Sequence, residues 1–208
     1  MKLIKIIAVL AVVVMLLTSC NMGLVKIERD TSTPYYTNAV TGVNYTYAPS
    51  CYEAVAVGNK YAKWRNPSTT VIFYDMEGAD PELWMTEEGK TVFYAEQVTL
   101  PELDEMEISQ VLVCVEGTST MSLAAITKEL HVDELINTWM NGEEVEYSGM
   151  TPERNYRVKF VSEKYPWMFF NLIYVEYSDG SSYLYCRDLG RCVKAGDIVK
   201  GYLDGTIE

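Results

Sequence analysis

The alternation of apolar and polar positions predicts that most of the chain forms β-strands. The strand-like runs, in chain order, are YEAVAVG at 52–58, TTVIFYDM at 69–76, KTVFYAEQV at 90–98, QVLVCVEG at 110–117, NYRVKFVSE at 155–163, WMFFNLIYVEYSD at 167–179, SSYLYCRD at 181–188 and RCVKAG at 191–196. They are rich in β-branched and aromatic residues, which strands favour. The turn residues at 178–180, Ser-Asp-Gly, predict a hairpin between two of these runs.

Helical periodicity is limited to a few segments. The clearest places Leu135, Ile136, Trp139 and Met140 on one face, after Asp133 as the expected N-cap and before a glycine at 142. Residues 122–130 fit either a longer helix or a strand, and both interpretations stay open. Short helical segments are also predicted at 81–85 and 197–203. Because strands at hairpin spacing outnumber helices, the expected fold is α+β, mostly antiparallel β-sheet with one or two short helices.

The first twenty residues have the layout of a secretory signal. Lys2 and Lys5 precede an uncharged apolar run at 6–17, which is shorter than the roughly 20 residues of a membrane-spanning helix. The run ends in the tetrapeptide Leu17-Thr18-Ser19-Cys20. An uncleaved signal-anchor with an incidental cysteine is the alternative interpretation of this pattern.

This tetrapeptide resembles the lipobox of bacterial lipoproteins, and the layout of the chain is similar to that of small bacterial lipoproteins. The resemblance implies that residues 1–19 are a signal peptide cut before Cys20, and that acyl chains such as palmitate anchor Cys20 in a membrane. Two or three acyl chains give stable anchoring where one is marginal. The resemblance therefore implies an extracytoplasmic protein at the cell surface, with the membrane as one partner.

The remaining chain divides into two predicted parts. Residues 20–50 are polar and contain Pro34 and Pro49, which indicates a lipid anchor and spacer, with one early strand expected at 24–28. Residues 51–208 are expected to form the globular β-rich domain. A subdomain boundary is predicted near 150, where Gly149 and Pro152 interrupt the pattern.

The charge of the chain limits its partners. The formal net charge is −12, and acidic chains repel nucleic acid and anionic head groups. We therefore expect no nucleic-acid partner, and membrane attachment through the lipid alone.

Four cysteines follow Cys20, and an even number outside the cytoplasm suggests disulfides. Cys186 and Cys192 flank an expected hairpin loop, and their pairing is predicted on that ground. Cys51 with Cys114 then follows by elimination. No C-x-x-C motif is present and His131 is the only histidine, so neither a metal site nor a cofactor is predicted.

No catalytic pattern stands out. The motifs S-x-x-K and G-x-S-x-G are absent, and the only imidazole, that of His131, lies among apolar residues. The densest acidic cluster, at 102–107, is interpreted as a solvated loop. An enzyme is therefore the less favoured class, although a hydrolase that uses carboxylates stays an alternative.

Aromatic residues are the more informative feature, since the chain has 16 tyrosines and 4 tryptophans. Most are expected to pack within the sheet, as Tyr174, Tyr183 and Tyr185 would on a hairpin. Trp64 and Arg65 are the predicted partner contacts, because both types are frequent in binding hot spots. The favoured function is a non-catalytic module that binds a protein or a glycan. A structural subunit of an envelope complex is a further alternative.

Overall fold

The computed structural model of the chain describes residues 23–115, 121–147, 149 and 151–207. Within these ranges the protein is α+β, mostly antiparallel β-sheet with two short α-helices. The fold class expected from the sequence is thereby confirmed. The predicted signal peptide and the lipid attachment site, Cys20, lie outside the described residues.

The first half of the chain contains a closed barrel. The strands here are β1 (Val25–Arg29), β2 (Tyr36–Asn38), β3 (Asn44–Tyr47), β4 (Tyr52–Ala54), β5 (Lys60–Arg65), β6 (Thr70–Tyr74), β7 (Trp84–Thr86) and β8 (Val92–Ala95). Among the described residues, all of these except β4 form the barrel, in the order β1-β2-β3-β8-β7-β6-β5. A parallel pairing of β1 with β5 closes it, with Ile27 opposite Trp64. Edge-to-face contacts between Tyr36, Phe73 and Phe93, at 5.1–5.6 Å, fill the interior.

The second half of the chain forms an open antiparallel sheet. Its strands are β9 (Ile108–Val115), β10 (Met121–Ile126), β11 (Arg154–Ser162), β12 (Met168–Glu176), β13 (Ser182–Cys186) and β14 (Arg191–Lys194). Their order is β10-β9-β11-β12-β13-β14. One face carries the buried apolar side chains, among them Val158, Phe160 and Leu172, and a helix packs on it. The opposite face, called here the open face, alternates with it along each strand.

Strand β4 connects the barrel to the sheet. It leaves the barrel and pairs with the beginning of β12, with Glu53 opposite Phe169. Strand β13 pairs with the later part of β12, and β11 occupies the other edge. Strands β13 and β4 therefore lie end to end along one edge of β12.

The helices partly match the periodicity. Helix α1 (Glu129–Asn141) begins after Lys128, so the predicted N-cap Asp133 is instead one turn inside the helix. Helix α2 (Ile198–Asp204) confirms the helical turn expected at 197–203. Residues 121–126 form a strand, which decides the ambiguity at 122–130.

The helix predicted at 81–85 is wrong. A turn occupies this segment and leads into β7, whose residues Trp84 and Met85 are both buried. Burial of these large side chains in the β-structure outweighs the local helix-start signal of Asp80 and Pro81.

The predicted division of the chain also needs correction. Residues 25–47 of the expected spacer supply three barrel strands, β1 to β3, with Ile27 and Tyr45 buried. In β3, Tyr45 is buried and its two neighbours are less buried, which is the alternation of a strand at the edge of a core. This strand forms although the residues around it are polar. The last barrel strand ends at residue 95 and the sheet begins at residue 108, and the connection between them contains a 3-10 helix (Leu103–Glu105). The boundary between the two parts of the structure therefore lies at 96–107 and not near residue 150.

No helix in the described part of the chain is long and apolar enough to cross a membrane.

Candidate ligand-binding cleft

A cleft of about 440 Å³ lies between the barrel and the open face of the sheet, and we call it the polar cleft. It is lined by Tyr47, Ala48, Ser50, Tyr52, Glu53, Gly89, Lys90, Thr91, Arg157, Asn171 and Asp188. These residues come from β3, the loop between β3 and β4, β4, the turn before β8, β11, β12 and the turn after β13. The site therefore exists only once both halves of the chain have folded.

Strand register brings three polar side chains together, and two of them, Glu53 and Asn171, line the cleft. Lys159 on β11 lies opposite Asn171 on β12, and Phe169, two residues before Asn171, lies opposite Glu53 on β4. Residues in register share a face, and so do residues two apart on one strand. Lys159, Asn171 and Glu53 consequently converge on the open face.

Both carboxylate oxygens of Glu53 accept hydrogen bonds from the sheet. Lys159 Nζ donates to Oε1 at 2.7 Å and Asn171 Nδ2 donates to Oε2 at 2.7 Å. The Lys159 side chain is 5% exposed and that of Glu53 is 18% exposed. The Lys159 amino group also lies 5.4 Å from the centre of the Phe169 ring. This buried ion pair fixes the positions of the surrounding polar groups.

Asn171 has an acceptor without a partner. Its Nδ2 is bound to Glu53, but its Oδ1 is buried and has no hydrogen-bond partner. The residue is 3% exposed and lines the polar cleft. Buried polar atoms are nearly always paired, because an unpaired one carries a desolvation cost of about 1–3 kcal/mol. Because this oxygen has almost no exposed surface, a donor in the cleft reaches it only if the Asn171 side chain moves.

Lys90 has an unusual backbone conformation at the cleft wall. Its φ is 64°, in the left-handed region that non-glycine residues seldom occupy. Its backbone carbonyl accepts from the N–H of Ala54, and its Nζ donates to the carbonyl of Val55 at 3.1 Å. Such strain is often retained at binding sites, where the surroundings hold it in place. Here it fixes the turn before β8 against β4.

The cleft carries both charge signs and an exposed aromatic ring. Lys90 and Arg157 are its cations, while Glu53 and Asp188 are its carboxylates. Tyr47, at the end of β3, is 58% exposed. Tyr52 donates to the carbonyl of Pro101 at 2.8 Å, and burial raises the pKa of its hydroxyl, so it stays neutral.

A second concavity, the tyrosine groove, lies beside the hairpin of β13 and β14. Its volume is about 460 Å³, and it is lined by Tyr147, Tyr185 and Cys192 among others. The ring centres of Tyr147 and Tyr185 lie 4.5 Å apart in a stacked arrangement, so each ring covers one face of the other. Those two faces are therefore not open to a ligand. Tyr174 is fully buried and faces Leu184 in the core, so it takes no part in the groove.

Trp64 and Arg65, the predicted partner contacts, lie on the barrel strand β5 and do not line the polar cleft. The Trp64 ring meets Tyr36 edge-on at 6.1 Å, and the Arg29 guanidinium lies 5.7 Å from it. Arg65 is exposed at the end of the strand. Their role in partner binding stays a prediction.

The register of the strands does not favour either predicted cysteine pairing. The four described cysteines are buried and unbridged. Cys186 lies opposite Arg191, whereas Cys192 lies opposite Tyr185, so the two sulfurs point to opposite faces of the hairpin. Cys114 on β9 is separated from Cys51 by β11 and β12, which is about 14 Å at ordinary strand spacing. A disulfide requires Cα atoms within about 7 Å.

The other residues considered for chemistry have structural roles. The Nδ1 atom of His131 lies 3.0 Å from the hydroxyl of Tyr202 and joins helices α1 and α2. The acidic cluster at 102–107 forms the capping box of the 3-10 helix, where Glu105 accepts from the backbone N–H of Glu102. In the described ranges, no group of three His, Cys, Asp or Glu residues is placed to hold a metal ion.

The residues that build the polar cleft were missed in the sequence, although two of them carry a signal. Lys159 interrupts the apolar run VKFV and Asn171 interrupts MFFNLIYV. A polar residue inside a strand that is otherwise buried must find a partner. Glu53 and Tyr47 have no comparable signal, because each lies in a segment of ordinary polar alternation.

Comparison with protein-family models, with curated proteins and with solved structures finds no match to this chain.

Proposed function

We propose that the protein is a non-catalytic binding module, anchored by lipid at Cys20 on the extracytoplasmic face of a membrane, and that the polar cleft binds a glycan. The observation that carries the proposal is the polar cleft itself, in which two cations and two carboxylates lie beside an exposed tyrosine. Such a lining offers both donors and acceptors to a ligand.

The composition of the cleft suits a ligand rich in hydroxyl groups. A sugar hydroxyl both donates and accepts, so the hydroxyls of one sugar can bind the carboxylates and the cations of the cleft together. The exposed Tyr47 ring offers an apolar face on which a sugar ring can stack. Since the lining carries two cations and two carboxylates, its charges are balanced, and this favours a neutral polar ligand over an ionic one.

The proposed anchor would hold the barrel close to the membrane. Strand β1 begins at Val25, five residues after Cys20. Five extended residues reach about 17 Å at most. The net charge of −12 argues against a nucleic-acid partner and against attachment of the protein surface to anionic head groups.

A carboxylate-dependent hydrolase is the second candidate, because Glu53 and Asp188 line the same cleft. The geometry favours it less. Both oxygens of Glu53 accept hydrogen bonds within the protein, and Asp188 Oδ2 accepts from the N–H of Ser50 at 2.8 Å. A hydrolase of this kind needs two carboxylates that both face the substrate, whereas Glu53 is held by the sheet and Asp188 is tied to Ser50.

The test is a glycan-binding measurement on the full-length chain in detergent. Thermal shift against a panel of oligosaccharides and wall glycan fragments selects a ligand, and calorimetry then gives its dissociation constant. We expect Tyr47→Ala to weaken the selected ligand about tenfold, equivalent to about 1.4 kcal/mol, because the stacking surface is lost.

The matched control is Tyr147→Ala, which removes a half-exposed tyrosine from the tyrosine groove instead. Binding should be unchanged in this variant. Equal loss in both variants, or loss in the control alone, would move the site out of the polar cleft. Release of new reducing ends, abolished by Asp188→Asn, would replace the binding proposal with the hydrolase.

A further inference from the structure

Strand topology places Cys51 and Cys186 side by side, although they are far apart in the sequence. Tyr185 pairs with Ile173 on β12, so Cys186 comes next along that edge, at the end of β13. On the same edge, the carbonyl of Cys51 accepts from the N–H of Asn171 at 2.6 Å, just before β4 begins. The two cysteines thus meet at the junction where β13 ends and β4 starts.

The side chains also meet at this junction. Cys51 is 0% exposed and Cys186 is 3% exposed, and both belong to the core of the sheet. The neighbouring thiol is also the largest cause of the pKa shift of each cysteine, as expected for sulfurs that lie close together. Beside them, the N–H of Ser50 donates to Asp188 Oδ2 at 2.8 Å, which ties the same two segments together.

We infer that Cys51 and Cys186 form a disulfide when the chain folds under oxidising conditions, and that this bond joins β4 to β13 beside the polar cleft. The occurrence of the bond in cells rests on the extracytoplasmic location proposed above. The bond would cross-link the connection between the barrel and the sheet. Ser50, Tyr52 and Asp188, which flank the two cysteines, line the polar cleft, so the cross-link would also hold its wall.

The oxidation is a thiol–disulfide exchange with an external disulfide, such as glutathione disulfide or a disulfide-bearing protein. The thiolate of Cys186 attacks one sulfur of that disulfide and releases the first thiolate. Deprotonated Cys51 then attacks the sulfur of Cys186 in the mixed disulfide and releases the second. Two cysteine thiols are oxidised, one external disulfide is reduced to two thiols, and these take up the two cysteine protons.

Once the two thiols meet at the forming junction, each affects the other's pKa, and this favours Cys186 as the attacking group. The hydrogen bond from the Cys51 thiol lowers the pKa of Cys186 to about 6, and the same hydrogen bond with burial raises the pKa of Cys51. Because both sulfurs are buried once folding is complete, the exchange takes place while the junction of β4 and β13 is forming.

The first experiment is oxidative refolding of the full-length chain. The reduced chain is unfolded in guanidinium, refolded with detergent in a glutathione redox buffer, alkylated and mapped without reduction. We expect the peptides of Cys51 and Cys186 to be linked. A bond that closes so long a loop should raise the melting temperature of the oxidised form over the reduced form by roughly 10 °C.

The double variant with Cys114→Ser and Cys192→Ser is the matched control, and it should keep both the linkage and the thermal shift. Cys186→Ser should lose both. If Cys186→Ser fails to fold, the disulfide map of the wild-type protein still tests the inference. A dominant linkage between other cysteines, or alkylation of Cys51 and Cys186 in the refolded protein, would overturn the inference.

A second arm separates this inference from the proposed location. The chain is expressed with its own first residues in bacterial cells, and free thiols are trapped with a maleimide before lysis. Linked Cys51 and Cys186 would support both the bond and the oxidising compartment. If the bond forms on refolding but both thiols are trapped in cells, the inference stands and the extracytoplasmic location is contradicted.

Discussion

At the scale of single residues, the most consequential group is the buried set of Glu53, Lys159 and Asn171. Its members come from β4, β11 and β12, so one carboxylate connects three strands. Taking a lysine and a glutamate out of water costs several kcal/mol for each ion, and their mutual attraction offsets this only while both are present. We therefore expect these three residues to hold the three strands in position and to add little to the net free energy of unfolding.

Removal of one partner tests this interpretation. Glu53→Ala leaves the Lys159 ammonium buried without its counter-charge, and we expect a loss of about 3–5 kcal/mol in the free energy of unfolding. Urea denaturation measures it. The control is Glu143→Ala, which breaks the exposed pair with Lys194 and should cost less than about 1 kcal/mol.

The double variant with Glu53→Met and Lys159→Met distinguishes charge burial from packing. Because it removes both charges but leaves Asn171 Nδ2 without its acceptor, its stability should return to within about 1–3 kcal/mol of the wild type. If the double variant is as unstable as Glu53→Ala, the loss comes from packing, and the electrostatic interpretation fails.

At the scale of elements, helix α1 shows that packing decides how much each apolar residue of a helical pattern contributes to stability. Val132, Leu135 and Trp139 are buried against the sheet, and the Trp139 ring lies 6.2 Å from that of Phe170. Leu130, at the beginning of the same helix, is 73% exposed. The helix therefore offers two leucines of equal helix propensity and opposite environment.

This pair gives a prediction with an internal control. Leu135→Ala removes a fully buried side chain and should lower the free energy of unfolding by about 2–5 kcal/mol, the range for such cavities. Leu130→Ala should change it by no more than about 0.5 kcal/mol. Both values come from chemical denaturation followed by circular dichroism. Similar losses in the two variants would mean that the helix does not pack as described.

At the scale of the whole molecule, the described residues form two hydrophobic cores, and each contains a buried tyrosine. Tyr45 lies in the barrel core and Tyr174 in the sheet core. Burial raises the pKa of each hydroxyl from 10 to about 12. The folded state therefore holds the tyrosine protons more tightly than the unfolded chain does.

Alkaline conditions should weaken both cores. Below pH 10 both tyrosines are protonated in either state, and their contribution to stability is complete. As the pH rises from about 10 to 12 the unfolded chain ionises first, so stability falls by up to about 1.4 kcal/mol per pH unit for each tyrosine. Unfolding free energies measured between pH 8 and 12 would show this decline.

Phenylalanine substitutions separate these tyrosines from other alkaline groups. Tyr45→Phe should cost about 1 kcal/mol at neutral pH, since Tyr45 donates to the carbonyl of Glu82 at 2.8 Å, but it should make the alkaline decline shallower. Tyr47→Phe, at an exposed position, should leave the slope as it is. An unchanged slope in Tyr45→Phe would exclude this tyrosine as the cause.

The sequence by itself determined the fold class and most of the strands, because these depend on local alternation. The runs at 69–76, 155–163 and 167–179 were found on this basis. Local signals failed where burial in a distant partner overrode them, as at β7 and in the barrel strands β2 and β3, whereas the early strand expected at 24–28 corresponds to β1. In these segments the local composition suggested a helix or a spacer. In the structure, the secondary structure follows from the core in which the side chains are buried.

Only the tertiary structure decided the cleft and the cysteine neighbours. Glu53 meets Lys159 and Asn171, and Cys51 meets Cys186, because β4 adds to the edge of β12 that β13 leaves free. That edge-to-edge docking joins residues more than 100 positions apart, and no local periodicity encodes it. In the sequence, Lys159 and Asn171 inside apolar strands indicate that polar partners are needed. They do not indicate which residues those partners are.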